Sequence, residues 1–73
     1  MDFGQALNAM REHDQRVTRE DWGREEEWVA LQWPDEHSKM RRPYLYRHES
    51  NGALVPWLPD QVDVLSTDWR VVL

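Results

Sequence analysis

The absence of cysteine from a chain of 73 residues is the feature that most restricts what this sequence can fold into. A folded chain of this size hides only about 60% of the surface that its unfolded form exposes, so a single hydrophobic core stabilises it weakly. Small domains usually add disulfides, a structural metal or a partner subunit. Here a disulfide is excluded, the commonest zinc ligand is missing, and the three histidines are far apart. We therefore predict one domain, residues 1–73, without metal or cofactor, that assembles with copies of itself.

Hydrophobic periodicity predicts a helix near the start of the chain. Apolar side chains from Phe3 to Met10 recur at i, i+3, i+4 and i+7, which is one stripe of an amphipathic helix. Asp2 is placed to cap this helix, and Gln5 follows three residues later, as in a capping box. We expect the helix over residues 3–13.

Segments rich in β-branched and aromatic residues follow, separated by turn residues. The predicted strands are residues 16–19, 28–33, 44–48, 53–57 and 69–73. Asn51-Gly52 predicts a hairpin turn, and Pro56 marks a sheet edge or a strand end because it has no N–H for a ladder. Pro59 is favoured in a first helical turn, which predicts a short helix over residues 59–65. The fold class is α+β: a small antiparallel sheet of four or five strands, an N-terminal helix and a short second helix near the C-terminus.

The net charge of −5 argues against a binder of duplex nucleic acid, because phosphate neutralisation supplies most of that affinity. Positive charge is concentrated in one run that contains Lys39, Arg41, Arg42 and Arg47. Such a run fits a small anionic ligand better than a long polyanion, and a solvated surface is an equally good interpretation. Because no apolar stretch is long enough for a membrane span, we expect a cytoplasmic protein without a membrane partner.

Five tryptophans are more than one small core needs. Trp57 stands between Pro56 and Pro59, which stiffen the backbone beside the predicted second helix, whose free N–H groups favour an anion. This arrangement is typical of a stacking platform for a nucleobase. The alternative is that Trp57 closes one end of the core.

No catalytic set is recognisable in the sequence. It has no glycine-rich phosphate loop, no serine elbow, no metal motif and no thiol. Acid pairs such as Asp60 and Asp63 stand where helix caps ordinarily use acids. We predict a protein that is not an enzyme and has no catalytic residues.

Several segments, in order along the chain, resemble one family. They are MDFGQAL (1–7), VTREDW (17–22), RPYLY (42–46), GALVPW (52–57), and QVDVL (61–65) with DW (68–69). Together they resemble the small phage and prophage family that contains the second type of Thoeris anti-defence protein. The resemblance implies a homodimer or homotetramer in the cytoplasm of the infected bacterium. It also implies a non-enzymatic sponge that holds cyclic ADP-ribose-type signals made by bacterial TIR proteins and, in some relatives, cyclic dinucleotides at a separate site.

The resemblance also implies a ligand pocket, placed between subunits. Its residues would be Phe3, Trp22, Trp57 and Asp68, then Arg19, Tyr44 and Gln61, with Gly23 and Arg24 in the loop that follows Trp22. That loop departs from the family pattern, because three glutamates stand where an Asn-Gly-Lys-Gly-like stretch is common. Three acids would repel a phosphate there.

Two other functions remain open from the sequence. One is an acidic, tryptophan-rich inhibitor that binds a host defence protein directly. The other is an accessory or structural phage module. A sponge should take up nucleotide as a purified protein, whereas an inhibitor should co-purify with its host partner.

Overall fold

The first helix begins where its capping residues indicate. The computed structural model describes residues 1–73 and has α1 over Phe3–His13, as predicted. The Asp2 carboxylate accepts a hydrogen bond from Gln5 N at 2.7 Å, and Gln5 Oε1 accepts one from Asp2 N at 2.9 Å. This reciprocal pair is a capping box. Asp14 ends the helix in the left-handed conformation, at φ 52° and ψ 40°.

Five antiparallel strands form one sheet. They are β1 (Arg16–Arg19), β2 (Trp28–Gln32), β3 (Tyr44–His48), β4 (Leu54–Pro56) and β5 (Trp69–Val72). Their order across the sheet is β4-β3-β2-β1-β5, so the last strand in the chain lies beside the first. The five predicted strands are confirmed, and three are shorter by one residue at one or both ends. Pro56 ends an edge strand, where its missing N–H disrupts no ladder.

The second helix begins later than predicted, so the prediction of a helix that opens at Pro59 is wrong. α2 spans Gln61–Leu65, and Asp60 is its N-cap, with extended backbone at φ −89° and ψ 177°. The Asp60 carboxylate accepts a hydrogen bond from Asp63 N at 2.8 Å. Because the chain's own carboxylate already occupies this helix end, the end does not provide the anion site that the sequence favoured.

Both helices lie on the same face of the sheet. The core consists of Ala6, Ala9, Met10, Val17, Val29 and Trp69. Side chains alternate along a strand, so each strand also presents residues to the opposite face, which we call the open face. The register gives the open face Arg16, Thr18, Trp28, Ala30, Gln32, Tyr44, Tyr46, His48, Leu54, Pro56, Arg70 and Val72. No helix packs on it, and none of the helices has the length and apolar character needed to cross a bilayer.

Candidate functional site

Four aromatic rings pack together where α1 begins; we call Phe3, Trp22, Trp57 and Trp69 the aromatic cluster. Trp69 is 2% exposed, and the centroids of Phe3 and Trp22 are each 5.4 Å from its centroid. Trp57 lies 6.0 Å from Trp69, 6.2 Å from Trp22 and 6.3 Å from Phe3, with the rings tilted or edge to face. The outer three rings are half-buried. The cluster therefore closes one end of the core and leaves aromatic surface available to a partner or ligand.

Buried ion pairs hold the segments around the cluster together. Arg19 is 8% exposed, and its Nη1 lies 2.9 Å from Asp63 Oδ1 while its Nε lies 2.8 Å from Asp68 Oδ1. Asp68 Oδ2 accepts a hydrogen bond from Asp21 N at 2.9 Å, which fixes the 3₁₀ turn over Glu20–Trp22 that the sequence did not predict. Arg19 thereby joins the end of β1 to α2 and to the start of β5.

This ion-pair network makes stability depend on pH. Hydrogen bonds from Arg19 hold the pKa of Asp68 below its ordinary value. A carboxylate with a lowered folded-state pKa stabilises the fold above its unfolded-state pKa, about 3.9, and this contribution is lost as pH falls through the folded-state pKa. We expect the urea midpoint of the wild type to decrease when the pH is lowered below about 4. The midpoint of Asp68→Asn should be lower than that of the wild type at pH 7 and should decrease less over the same pH interval.

Asp21→Asn is the control, because the Asp21 carboxylate forms no ion pair. It should follow the wild type from pH 7 to pH 2. Acid sensitivity that is the same in Asp68→Asn and in the wild type would contradict this assignment.

Arg47 is a functional candidate that the sequence presented only as part of a basic run. Its Cζ lies 4.1 Å from the centroid of the Trp22 ring, and its Nη2 lies 3.6 Å from Glu27 Oε2. A guanidinium on an aromatic face is held by a cation–π interaction. The sequence signal that could have identified Arg47 is the alternation of side chains along a strand. Leu45 and Arg47 lie on the face of β3 that the helices cover, and Tyr46 lies on the open face.

The structure distributes the nine predicted ligand residues over several places. Phe3, Trp22 and Trp57 are in the aromatic cluster, and Arg19 and Asp68 pair with each other beside it. Gln61 is the exposed first residue of α2.

Of the other three predicted residues, Tyr44 lies on the open face, and Gly23 and Arg24 lie in the loop that follows Trp22. Gly23 and Arg24 line a broad groove of about 670 Å³ that also contains Arg16 and Trp28. Tyr44 lines a separate cleft of about 200 Å³. These are the two depressions of the surface, and neither is lined by a residue of the aromatic cluster. The structure therefore does not bring Tyr44, Gly23 and Arg24 together with Trp57.

Two of the three glutamates after Trp22 are paired with arginines. Arg70 Nη1 lies 3.2 Å from Glu25 Oε1, and Arg47 binds Glu27 as described above. Glu26 forms no ion pair. The negative charge of this loop is thus partly neutralised by the sheet on which it lies.

A family model, the Thoeris anti-defense 2-like domain, matches residues 1–72 of the chain. The chain belongs to this family. The match confirms the resemblance read from the sequence, and membership supports a role in countering Thoeris defence. No curated protein matches the chain. In this member of the Thoeris anti-defense 2-like family, the aromatic cluster can contact a planar base, and Arg47 can attract an anion beside it.

Proposed function

We propose that the protein binds and holds, unchanged, a cyclic ADP-ribose-type immune signal, so that the defence effector is not activated. The aromatic cluster is the observation that carries this proposal. It offers the half-buried rings of Phe3, Trp22 and Trp57, and the Arg47 guanidinium lies 4.1 Å from the Trp22 ring. Bases bind by stacking on such rings, and phosphates bind to guanidinium groups.

Binding without chemical change is supported by how the nearby polar groups are used. The carboxylates of Asp63 and Asp68 are held by Arg19, so their lone pairs are engaged in keeping the fold together. A hydrolase would need a nucleophile, a base and a group that stabilises the oxyanion at one place. Ligand released by denaturing the complex should therefore be intact by chromatography; a hydrolysed product would identify an enzyme.

We further propose that a second copy of the chain completes the site. One chain has no depression at the aromatic cluster, so a ligand there would stay open to water. Leu58, which follows Trp57 in the chain, and Val62 and Leu65 of α2 are 91%, 66% and 76% exposed, and we call these three residues the apolar ridge. Large exposed apolar surfaces are typical of interaction sites.

Light scattering at micromolar concentration should return two or four times the 8.8 kDa mass of one chain. Val62→Glu and Leu65→Glu should lower this mass, because each would bury a charge at the interface. Glutamate at Leu54, which is 62% exposed on the open face, is the control and should leave the mass unchanged. A wild type that scatters as a single chain would contradict a site shared between copies.

The function is tested by melting the protein with a panel of cyclic nucleotides. Ligand at about 100 times its dissociation constant should stabilise the fold by about 2.7 kcal/mol. Trp57→Ala should weaken binding by about ten- to hundredfold if the indole stacks on a base. Trp33→Ala is the matched control, because Trp33 is 47% exposed and outside the aromatic cluster.

Trp57 also packs against three rings, so Trp57→Ala can weaken the fold as well as binding. The melting temperature of the ligand-free variant must therefore be measured together with the binding titration. Trp57→Tyr keeps a ring and should retain most of the binding. A folded Trp57→Ala protein that binds like the wild type would remove Trp57 from the site.

The apolar ridge also favours a second candidate, direct inhibition of a host defence protein. In that case the purified protein would show no melting shift with any nucleotide. Substitutions in the ridge would then release a co-purifying host protein.

A further inference from the structure

The guanidinium of Arg47 is held loosely, although its backbone is part of an inner strand. Arg47 lies in β3, where it pairs with Val29 of β2 and with Val55 of β4. Its Nη2 lies 3.6 Å from Glu27 Oε2, which is beyond hydrogen-bond distance. The guanidinium forms no hydrogen bond within the chain, and its side chain is 25% exposed. Its N–H groups therefore remain able to donate to a ligand.

Arg19 shows how a fully engaged arginine is held in the same molecule. Its Nη1 lies 2.9 Å from Asp63 Oδ1, and its Nε lies 2.8 Å from Asp68 Oδ1. A phosphate binds a guanidinium in a similar way, through two parallel N–H···O bonds of about 2.7–2.9 Å. Arg47 has one long contact with Glu27 instead of two short ones. A phosphate would therefore be a better partner for Arg47 than Glu27 is.

The carboxylate of Glu27 can move while its backbone stays in place. Glu27 O accepts a hydrogen bond from Thr18 Oγ1 at 2.6 Å, and Thr18 is fully buried. One residue earlier, Glu26 O lies 2.6 Å from His48 Nδ1. These contacts fix the backbone directly before β2, whereas the side chain of Glu27 is 22% exposed. Rotation of this side chain is therefore sufficient to release Arg47, and the loop does not have to open.

We propose that Glu27 is a specificity-determining residue of the ligand site at the aromatic cluster. Its carboxylate neutralises Arg47 in the free protein, and an anionic group of the ligand replaces it. A ligand that has the same base but no anionic group leaves Glu27 in place and gains nothing from Arg47. A diphosphate replaces the carboxylate best, because it has a higher charge and more acceptor oxygens. This inference deepens the proposed function and rests on it for the nature of the ligand, whereas the exchange at Arg47 can be measured with a simple anion.

The test follows the side-chain N–H signals of Arg47 and of the tryptophan indoles in the ¹⁵N-labelled full chain by two-dimensional NMR. Inorganic pyrophosphate should shift the signals of Arg47 and of Trp22, the ring on which Arg47 lies. Glu27→Gln should strengthen pyrophosphate binding by about two- to fivefold, because the anion no longer competes with an ion pair that water can reach. Adenosine, which carries no anion, should bind the variant and the wild type equally.

Glu26→Gln is the matched control. It removes the same charge one residue away, and Glu26 is exposed and forms no ion pair. Its affinity for pyrophosphate should stay below that of Glu27→Gln and close to that of the wild type. A second comparison tests whether Glu27 acts through Arg47. Arg47→Gln combined with Glu27→Gln should bind pyrophosphate as weakly as Arg47→Gln alone, because the partner that Glu27 blocks is no longer present.

Three results would overturn the proposal. One is the absence of any shift of the Arg47 signal with pyrophosphate at millimolar concentration. Another is an equal affinity of Glu27→Gln and Glu26→Gln for pyrophosphate. The third is a gain from Glu27→Gln that persists in the Arg47→Gln background.

Failure of this inference can be distinguished from failure of the proposed function. If cyclic ADP-ribose stabilised the wild type and Glu27→Gln equally, the nucleotide would be bound and the role of Glu27 would be wrong. If no cyclic nucleotide stabilised the protein but pyrophosphate gave the expected differences between variants, the exchange at Arg47 would stand and the proposed ligand would be wrong.

Discussion

Trp69→Ala should leave a large part of the population unfolded at room temperature. The Trp69 side chain is 2% exposed and contacts the other three rings of the aromatic cluster, and its Nε1 donates to Asp63 O at 2.9 Å. Removal of a buried tryptophan costs about 3–5 kcal/mol. The whole fold, at about 0.05–0.15 kcal/mol per residue, has a stability of the same order. Urea titrations followed by far-ultraviolet circular dichroism measure the loss.

Trp33→Ala provides the comparison within the same residue type. Trp33 is 47% exposed and follows the end of β2, so its removal should change the free energy of unfolding by about 0.5 kcal/mol or less. If Trp69→Ala had the midpoint of the wild type, Trp69 would not be the centre of the core.

Arg19→Met should have the second-largest effect. The substitution keeps much of the volume of the side chain but leaves the buried Asp63 carboxylate without its cation. Breaking a buried pair from one side costs about 3–5 kcal/mol, because the remaining charge is uncompensated. The loss should appear as a lower urea midpoint at neutral pH with the denaturant slope unchanged.

Two further variants identify the cause of that loss. Arg70→Met removes a half-exposed arginine that pairs with Glu20 and Glu25, so it should cost at most about 1 kcal/mol. Arg19→Met combined with Asp63→Leu should recover part of the stability, because no unpaired charge is left inside. Equal losses in Arg19→Met and Arg70→Met, or no recovery in the double variant, would show that the buried charge is not the cause.

The elements that sequence reasoning predicted correctly are those that local signals determine. The capping box of Asp2 and Gln5 fixes the start of α1, and the Asn51-Gly52 turn fixes the hairpin of β3 and β4. The start of α2 was predicted incorrectly because Pro59 and Asp60 both suit a helix start. Only the extended backbone of Asp60 distinguishes the cap from the first helical residue.

The composition of the site was less accessible to sequence reasoning, because it depends on which face of the sheet each residue occupies. Tyr44 and Trp57 belong to opposite faces, and a shift of one residue in register would exchange the two faces of a strand. Arg19 was a ligand candidate because the family resemblance implied it. Its partners Asp63 and Asp68 lie 44 and 49 residues further along the chain, beyond the reach of any local pattern.

The position of β5 beside β1 determines when the molecule can fold. β1 is the first strand to be synthesised and β5 the last, so β1 obtains its outer neighbour only after the intervening strands have been made. Contacts between such distant segments require closure of a long loop and slow the folding reaction. β5 also carries Trp69 at the centre of the core, and Asp68, directly before it, is a partner of Arg19. A growing chain thus has neither a closed core nor a complete aromatic cluster until β5 has left the ribosome, because Trp69 belongs to both.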